Sequence, residues 1–129
     1  MTVLVGFVPT PEGEAAFAAA LDEAKRRGEP LLVLNSPRGG APVSADVAPD
    51  ATVQEMTARA QASGVEVEVR QTPHSGDAAD EVLRVAQDAA ASVIVIGMRK
   101  RSPVGKLLMG SSAQRILLDA DRPVLAVKP

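Results

Sequence analysis

Short, nearly continuous apolar segments separated by helical patterns constrain the fold of this chain more than any other feature. Two of them, residues 2–8 (TVLVGFV) and 92–97 (SVIVIG), lack the alternation that a strand with one exposed face would have. Such runs are typical of parallel strands that helices cover on both faces. Because helical patterns fill the intervals between the apolar segments, the sequence predicts a parallel sheet with right-handed crossovers.

The pattern predicts strands and helices in alternation, with one long connection after the second strand. The strands are expected at 2–8, 30–35, 65–71, 92–97 and 123–128. The helices are expected at 11–27, 51–63, 78–91 and 112–120. Thr10 and Asp77 are expected to cap the first and third helices, and Thr52 and Glu55 have the spacing of a capping box. Residues 36–49, rich in Pro, Gly, Ala and Ser, are expected to form an irregular loop.

The order of the strands follows from their exposure. The alternating segment 65–71 (VEVEVRQ) predicts an edge strand, whereas the two continuous runs belong near the centre. A flavodoxin-like α/β sandwich with a five-stranded parallel sheet of order 3-2-1-4-5 satisfies both requirements. The first and fourth strands then form a switch point, beyond whose carboxyl ends such sheets bind ligands. The length of the chain fits a single domain, 1–129.

Composition excludes several classes of function. Sixteen acidic residues against fourteen basic ones give a net charge of −2, which is not expected of a dedicated nucleic-acid-binding protein. With no cysteine and a single histidine, His74, neither a thiolate nor a transition-metal site is expected, and His74 is interpreted as a solvated turn residue. No apolar run is long enough to span a membrane and the N-terminus resembles a strand, so we expect a cytoplasmic protein.

The segment 97–112 (GMRKRSPVGKLLMGSS) is the candidate anion-binding element. It follows the fourth strand and enters the last helix through a Gly-Ser-Ser sequence, where free N–H groups and partial positive charge favour a phosphate. Its four basic residues, Arg99, Lys100, Arg101 and Lys106, add local positive charge to an otherwise acidic chain. An ordinary solvated connection with good cap residues would have the same sequence, so both interpretations stay open. Neither a Walker A element nor a GxGxxG fingerprint is present.

The chain resembles the universal stress protein family over nearly its whole length. The resemblance rests on VLVGFV at the start, on AQDAAASVIVIG, and on the C-terminal GSSAQRILLDADRPVLAVKP. ATP-binding members carry the pattern G-x2-G-x9-G-[ST] after the fourth strand, which Gly97, Gly110 and Ser111 match. The resemblance implies a flavodoxin-like fold, usually a dimer through the last strand, and either ATP binding or a nucleotide-free stress role.

The last strand, 123–128, is expected to be an apolar edge of the sheet, so the sequence itself predicts a homodimer through this strand. The alternative is a monomer whose edge is protected by Pro123, Lys128 and Pro129.

Two positions depart from the pattern of the ATP-binding members. Lys100 replaces the second glycine, and Val8 stands where those members usually place an Asp. The side chain of Val8 cannot accept a hydrogen bond, and a side chain at residue 100 costs roughly 1 kcal/mol if the backbone there is left-handed. Lys100 can also contact a phosphate as a point charge. The departures leave a nucleotide-free homodimeric scaffold as the alternative to an ATP-binding protein.

The leading hypothesis is a stress-response protein that binds an adenine nucleotide, ATP with Mg²⁺, at the switch point. The helix start would hold the phosphates, and the ends of the first and second strands would enclose the base. The expected contact residues are Gly6, Val8, Pro9, Thr10, Val33, Asn35, Gly97, Arg99, Lys100, Gly110, Ser111 and Ser112. No general base is expected near them, so we expect no catalysis. An enzyme acting on another phosphorylated substrate is the third hypothesis.

Overall fold

Helices cover both faces of a five-stranded parallel sheet in the computed structural model, which describes residues 1–36, 47–73, 76–98 and 111–129. The strands are β1 (Thr2–Gly6), β2 (Leu31–Asn35), β3 (Val67–Gln71), β4 (Ala91–Gly97) and β5 (Val124–Val127). The helices are α1 (Pro11–Arg27), α2 (Asp50–Ala62), α3 (Ala78–Asp88) and α4 (Ser111–Asp119). The strand order β3-β2-β1-β4-β5 confirms the predicted flavodoxin-like sheet.

The central strand β1 is apolar on both faces because both faces are covered. Val5 lies opposite Val33 of β2 and Val95 of β4, and all three are buried. Val5 packs in the core that includes α1, whereas Leu4 packs in the core that includes α3 and α4. The continuous apolar run is therefore the consequence of two helical layers, as the sequence predicts.

Helix α1 has the predicted bounds and the predicted caps. The hydroxyl of Thr10 accepts a hydrogen bond from the N–H of Gly13 at 3.1 Å, and Pro11 occupies the first turn. Gly28 ends the helix in the left-handed conformation, with φ of 64°.

Among the described residues, no helix is long and apolar enough to cross a membrane.

The capping box expected for α2 is wrong. The helix starts at Asp50, so Thr52 lies inside its first turn, and the N-cap is Pro49, which makes no side-chain capping bond. Pro49 is extended, and Asp50 places a carboxylate where the helix dipole favours it. A proline and an acidic residue therefore begin α2, in place of the expected hydroxyl.

Two other elements end earlier than expected because the chain turns. After β1 the N–H of Thr10 donates to the carbonyl of Val8 at 2.8 Å, which directs the backbone into α1. Helix α3 ends at Asp88, since Ala90 adopts a positive φ of 51° that no helix continues. Both turns are short, and both bring a helix directly against the sheet.

The buried amide of Asn35 joins the carboxyl ends of three strands. Its Nδ2 donates to the carbonyl of Phe7 at 2.9 Å, and its Oδ1 accepts from the N–H of Ala48 at 2.9 Å and from Gln71 Nε2 at 3.2 Å. A buried polar group that loses such a partner costs about 1–3 kcal/mol. Asn35 therefore positions the end of β1 and the chain entering α2.

Candidate functional site

A cavity of about 160 Å³ opens at the carboxyl ends of β1 and β4, where the sequence predicts the switch point. Leu34, Val82 and Ile116 supply much of its apolar wall, and Glu12 and Ser112 are among its polar residues. A larger groove of about 750 Å³ lies at the amino ends of the strands. Because open parallel sheets bind ligands at their carboxyl ends, the smaller cavity is the candidate site.

Two glycines allow the start of α1 to touch the ends of the strands beside this cavity. A Cβ at Gly13 would lie 1.8 Å from the carbonyl oxygen of Val8, and one at Gly97 would lie 2.2 Å from that of Glu12. No side chain fits at either position unless α1 moves away. Gly97, the first glycine of the family pattern, is thus required by the packing of α1 whether or not a ligand is present.

Four of the predicted contact residues that the structure describes line the cavity. They are Gly6, Val8, Gly97 and Ser112. Gly6 and Gly97 bring main chain to the wall, and Val8 adds an apolar side chain instead of an acceptor. The structure thus brings together residues from β1, β4 and α4 that are distant in the sequence.

The predicted residues of β2 do not line the cavity. Val33 is fully buried in the core on the α1 side, and Asn35 is fully buried in its hydrogen-bond network. Leu34, between them, takes the expected place because successive strand residues face opposite sides of a sheet. That Val33 and Asn35 contact a nucleotide stays a prediction, and the cavity wall itself contains neither residue.

The remaining predicted residues fall into three groups. Pro9 and Thr10 form the turn into α1, where Thr10 acts as the N-cap, and neither is part of the cavity wall. Arg99, Lys100 and Gly110 lie outside the described residues, as does His74. Ser111 is the first residue of α4.

Asp77 and Ser112 link the starts of α3 and α4. The Ser112 hydroxyl donates to Asp77 Oδ1 at 2.6 Å, and the same oxygen caps α3 by accepting from the N–H of Ala79 at 3.0 Å. Arg115 Nη1 lies 3.4 Å from the other oxygen of Asp77, and Arg115 Nη2 pairs with Asp80. The predicted capping of α3 by Asp77 is confirmed. Ser112, expected to donate to a phosphate, instead gives its one proton to a carboxylate.

These contacts lower the pKa of Asp77. The largest cause is the hydrogen bond from Ser112, followed by the N–H of Ala79, with partial burial opposing them and Arg115 assisting them. An ionised carboxylate therefore stands beside the first turns of two helices at neutral pH. Sequence spacing contained no signal for this pair, because its members lie 35 residues apart.

No metal centre is formed by the described part of the chain. Within 1–36, 47–73, 76–98 and 111–129, no three His, Asp or Glu side chains come together as metal ligands would. Asp77 and Asp80 share Arg115 instead. These residues thus supply no complete ligand set for the expected Mg²⁺.

The sheet order and the cavity define a doubly wound α/β protein with a candidate ligand site at its switch point. The sequence model of the universal stress protein family matches residues 1–128. A universal stress protein of Mycolicibacterium smegmatis is 47% identical over 127 residues, covering 98% of this chain and 97% of that protein. The chain belongs to the universal stress protein family.

Solved structures of the family have the same fold. The universal stress protein from Archaeoglobus fulgidus is 32% identical with a TM-score of 0.83, covering 99% of this chain and 98% of that one. A structure of the universal stress protein from Archaeoglobus fulgidus in complex with dAMP is 22% identical with a TM-score of 0.70, covering 99% and 98%. The likeness to the dAMP complex shows the fold.

Replacing Gly97 with alanine tests the packing of α1. We expect Gly97→Ala to lower the free energy of unfolding by about 1–3 kcal/mol, because the new methyl group collides with the Glu12 backbone. Gly6→Ala is the matched control, since its Cβ would meet only side-chain methyl groups at 3.8 and 4.0 Å. Urea unfolding followed by circular dichroism measures both. Equal stability of the two variants would contradict the packing argument.

The charge of Asp77 predicts a pH dependence of stability. The pKa of Asp77 in the folded protein lies below its ordinary value of 3.8. Ionised Asp77 therefore stabilises the fold at every pH above this ordinary pKa. This contribution is lost as the pH falls through the lower folded-state pKa. We expect the free energy of unfolding of wild type to exceed that of Asp77→Asn by about 0.5 kcal/mol at neutral pH. We expect this difference to disappear in acid.

Urea unfolding at a series of pH values measures this difference. Asp22→Asn, on the exposed side of α1, controls for the change in net charge. A gap between wild type and Asp77→Asn that stays constant from neutral pH into acid would rule out the contribution of the carboxylate.

Proposed function

We propose that this universal stress protein binds an adenine nucleotide in the cavity at the β1/β4 switch point, in a cytoplasmic stress response. The cavity carries the proposal: an apolar slot at the carboxyl ends of the strands, with the start of α4 on its wall. Ligand sites of this kind combine apolar walls with a few polar groups. The dAMP complex of a family member with the same fold supports an adenine ligand.

In this proposal the base lies in the slot and the phosphates lie at the start of α4. Leu34, Val82 and Ile116 surround an apolar space suited to a flat ring. The first N–H groups of α4 have no partner within the helix and attract phosphate oxygens. Family resemblance adds Arg99, Lys100 and Gly110 on the phosphate side. The ligand class includes ATP, with Mg²⁺ bound through the phosphates.

The proposed role is binding without catalysis. General acid–base catalysis needs a group that can exchange a proton near neutral pH within reach of the reacting atoms. The hydroxyl of Ser112 faces the ionised Asp77, whose pKa is lowered, so this pair supplies no such base. We infer that the protein acts in regulation through the difference between its nucleotide-bound and nucleotide-free states.

Filling the slot tests nucleotide binding. Adenine nucleotide at one hundred times its Kd stabilises the folded state by about 2.7 kcal/mol, so we expect a higher melting temperature for wild type. Ala113→Leu places a larger side chain in the cavity wall and should abolish the increase. Gln114→Leu, the neighbouring exposed position, is the control and should keep it.

Two measurements complete this test. Calorimetric titration gives the affinity, and absorbance near 260 nm detects co-purified nucleotide, because the chain has no Trp or Tyr. Wild type that gives neither binding heat nor a shift in melting temperature with any adenine nucleotide at millimolar concentration would refute the proposed function.

We also propose that the protein is a homodimer through β5. Carbonyls of Pro123 and Val127 accept from the N–H groups of Ile94 and Met98 at 2.9 and 2.7 Å, so these residues face β4. Val124 and Ala126, at alternate positions, direct their backbone groups to the outer side. In the described part of the chain β5 is an edge strand, and an apolar edge invites pairing.

A proline in β5 tests the dimer. Ala126→Pro removes one outward N–H and leaves the bonds to β4 intact, whereas Ala126→Ser keeps that donor. Light scattering should give twice the 13.3 kDa of the chain for wild type and Ala126→Ser, and 13.3 kDa for Ala126→Pro. A monomeric wild type, or a dimeric Ala126→Pro, would disprove pairing through β5.

A nucleotide-free dimeric scaffold is the second candidate function. The cavity of about 160 Å³ is smaller than most ligand sites, and the side chain of Val8 offers no hydrogen-bond acceptor to a ribose. Retained dimerisation together with absent nucleotide binding would support the scaffold over the nucleotide-binding role.

A further inference from the structure

Asp77 places a negative charge on the phosphate side of the proposed nucleotide site. Its carboxylate lies between the starts of α3 and α4 and touches Ser112, which lines the cavity, as does the neighbouring residue Ala78. The Asp77 side chain is 25% exposed, so its field reaches the solvent at the mouth of the site. A phosphate at the start of α4 would lie beside this carboxylate.

The hydrogen bond between Ser112 and Asp77 also removes a donor from that phosphate. A serine hydroxyl has one proton, and here it points to Asp77 Oδ1 at 2.6 Å. The Ser112 oxygen then presents only lone pairs to a ligand. What attracts a phosphate at this point is the backbone of the first turn of α4, with its partial positive charge.

Arg115 offsets only part of the negative charge. Its guanidinium pairs with Asp77 and Asp80, and its Nε lies 3.7 Å from the carboxylate of Asp119. One cation therefore serves three carboxylates in this cluster. Asp119 is the last residue of α4, so at the start of this helix the described residues place two carboxylates, those of Asp77 and Asp80, beside the single cation of Arg115.

We propose that Asp77 determines how many phosphates the site accepts, so that an adenine ligand with a single phosphate binds more tightly than ATP. The inference rests on the proposed function. One phosphate can lie against the start of α4, whereas each further phosphate adds charge near the carboxylate and raises the repulsion. The expected preference for AMP over ATP is about tenfold, equivalent to ~1.4 kcal/mol.

Titration calorimetry with adenosine, AMP and ATP tests this proposal on wild type, Asp77→Asn and Asp77→Ser. Asn and Ser both cap helices well, so each variant removes the charge and keeps α3 capped. In both variants we expect the affinity for ATP to rise roughly tenfold, that for AMP to rise less, and that for adenosine to stay the same. Melting temperatures and circular dichroism confirm that each variant is folded.

Asp80→Asn is the matched control. It removes the same unit of charge from the same turn of α3 and also loses a contact with Arg115. The Asp80 side chain is 61% exposed and has no hydrogen bond to Ser112 among the described contacts. We expect the affinity for each ligand to change less than about twofold, because solvent screens an exposed charge.

Three results would overturn the inference. Wild type that binds ATP as tightly as AMP, or equal gains in ATP affinity for Asp77→Asn and Asp80→Asn, would do so and leave the proposed function intact. A loss of ATP affinity in Asp77→Asn that occurs only with Mg²⁺ would assign Asp77 to the metal and likewise overturn it. Failure of every protein to bind adenosine, AMP or ATP would instead refute the proposed function and the inference together.

Discussion

The close approach of α1 to the strand ends is the constraint on which the candidate site depends. Carbonyl groups of Val8 and Glu12 occupy the space that side chains at residues 13 and 97 would need. This contact fixes the turn after β1 and one wall of the cavity at once. A glycine that belongs to a ligand-binding sequence pattern can thus be required by helix packing as well as by the ligand. Finding it in a sequence therefore supports the fold more strongly than it supports the ligand.

The wall opposite α1 is held by charge. Asp77 and Arg115 connect α3 with α4, the two helices that contribute Val82 and Ile116 to one apolar core. The link is built from partly exposed groups, whose mutual attraction is weaker than that of buried ones. The site thus combines one wall that backbone contacts fix in place with another wall that weaker, partly exposed ion pairs hold together.

Much of the fold could be predicted because each signal was local. The alternation of residues 65–71 identified the edge strand β3, and Thr10 with Pro11 identified the start of α1. The side chains that line the site were harder to predict from the sequence, for two physical reasons. Residues 31–35 are all buried, so their pattern does not reveal which face holds the cavity. The partner of Ser112 is distant in sequence, so only the folded chain brings Asp77 to it.

The amide of Asn35 has a consequence for how the fold tolerates insertions. The chain leaves β2 just after Asn35 and is bonded to the same side chain again at Ala48. Both ends of the intervening segment are thereby fixed at one point. The entropy of closing a segment between fixed ends changes by only about 0.6 kcal/mol for each doubling of its length. A change in the length of this segment, whose first residue Ser36 lines the cavity, is therefore expected to cost little stability and to leave the sheet unchanged.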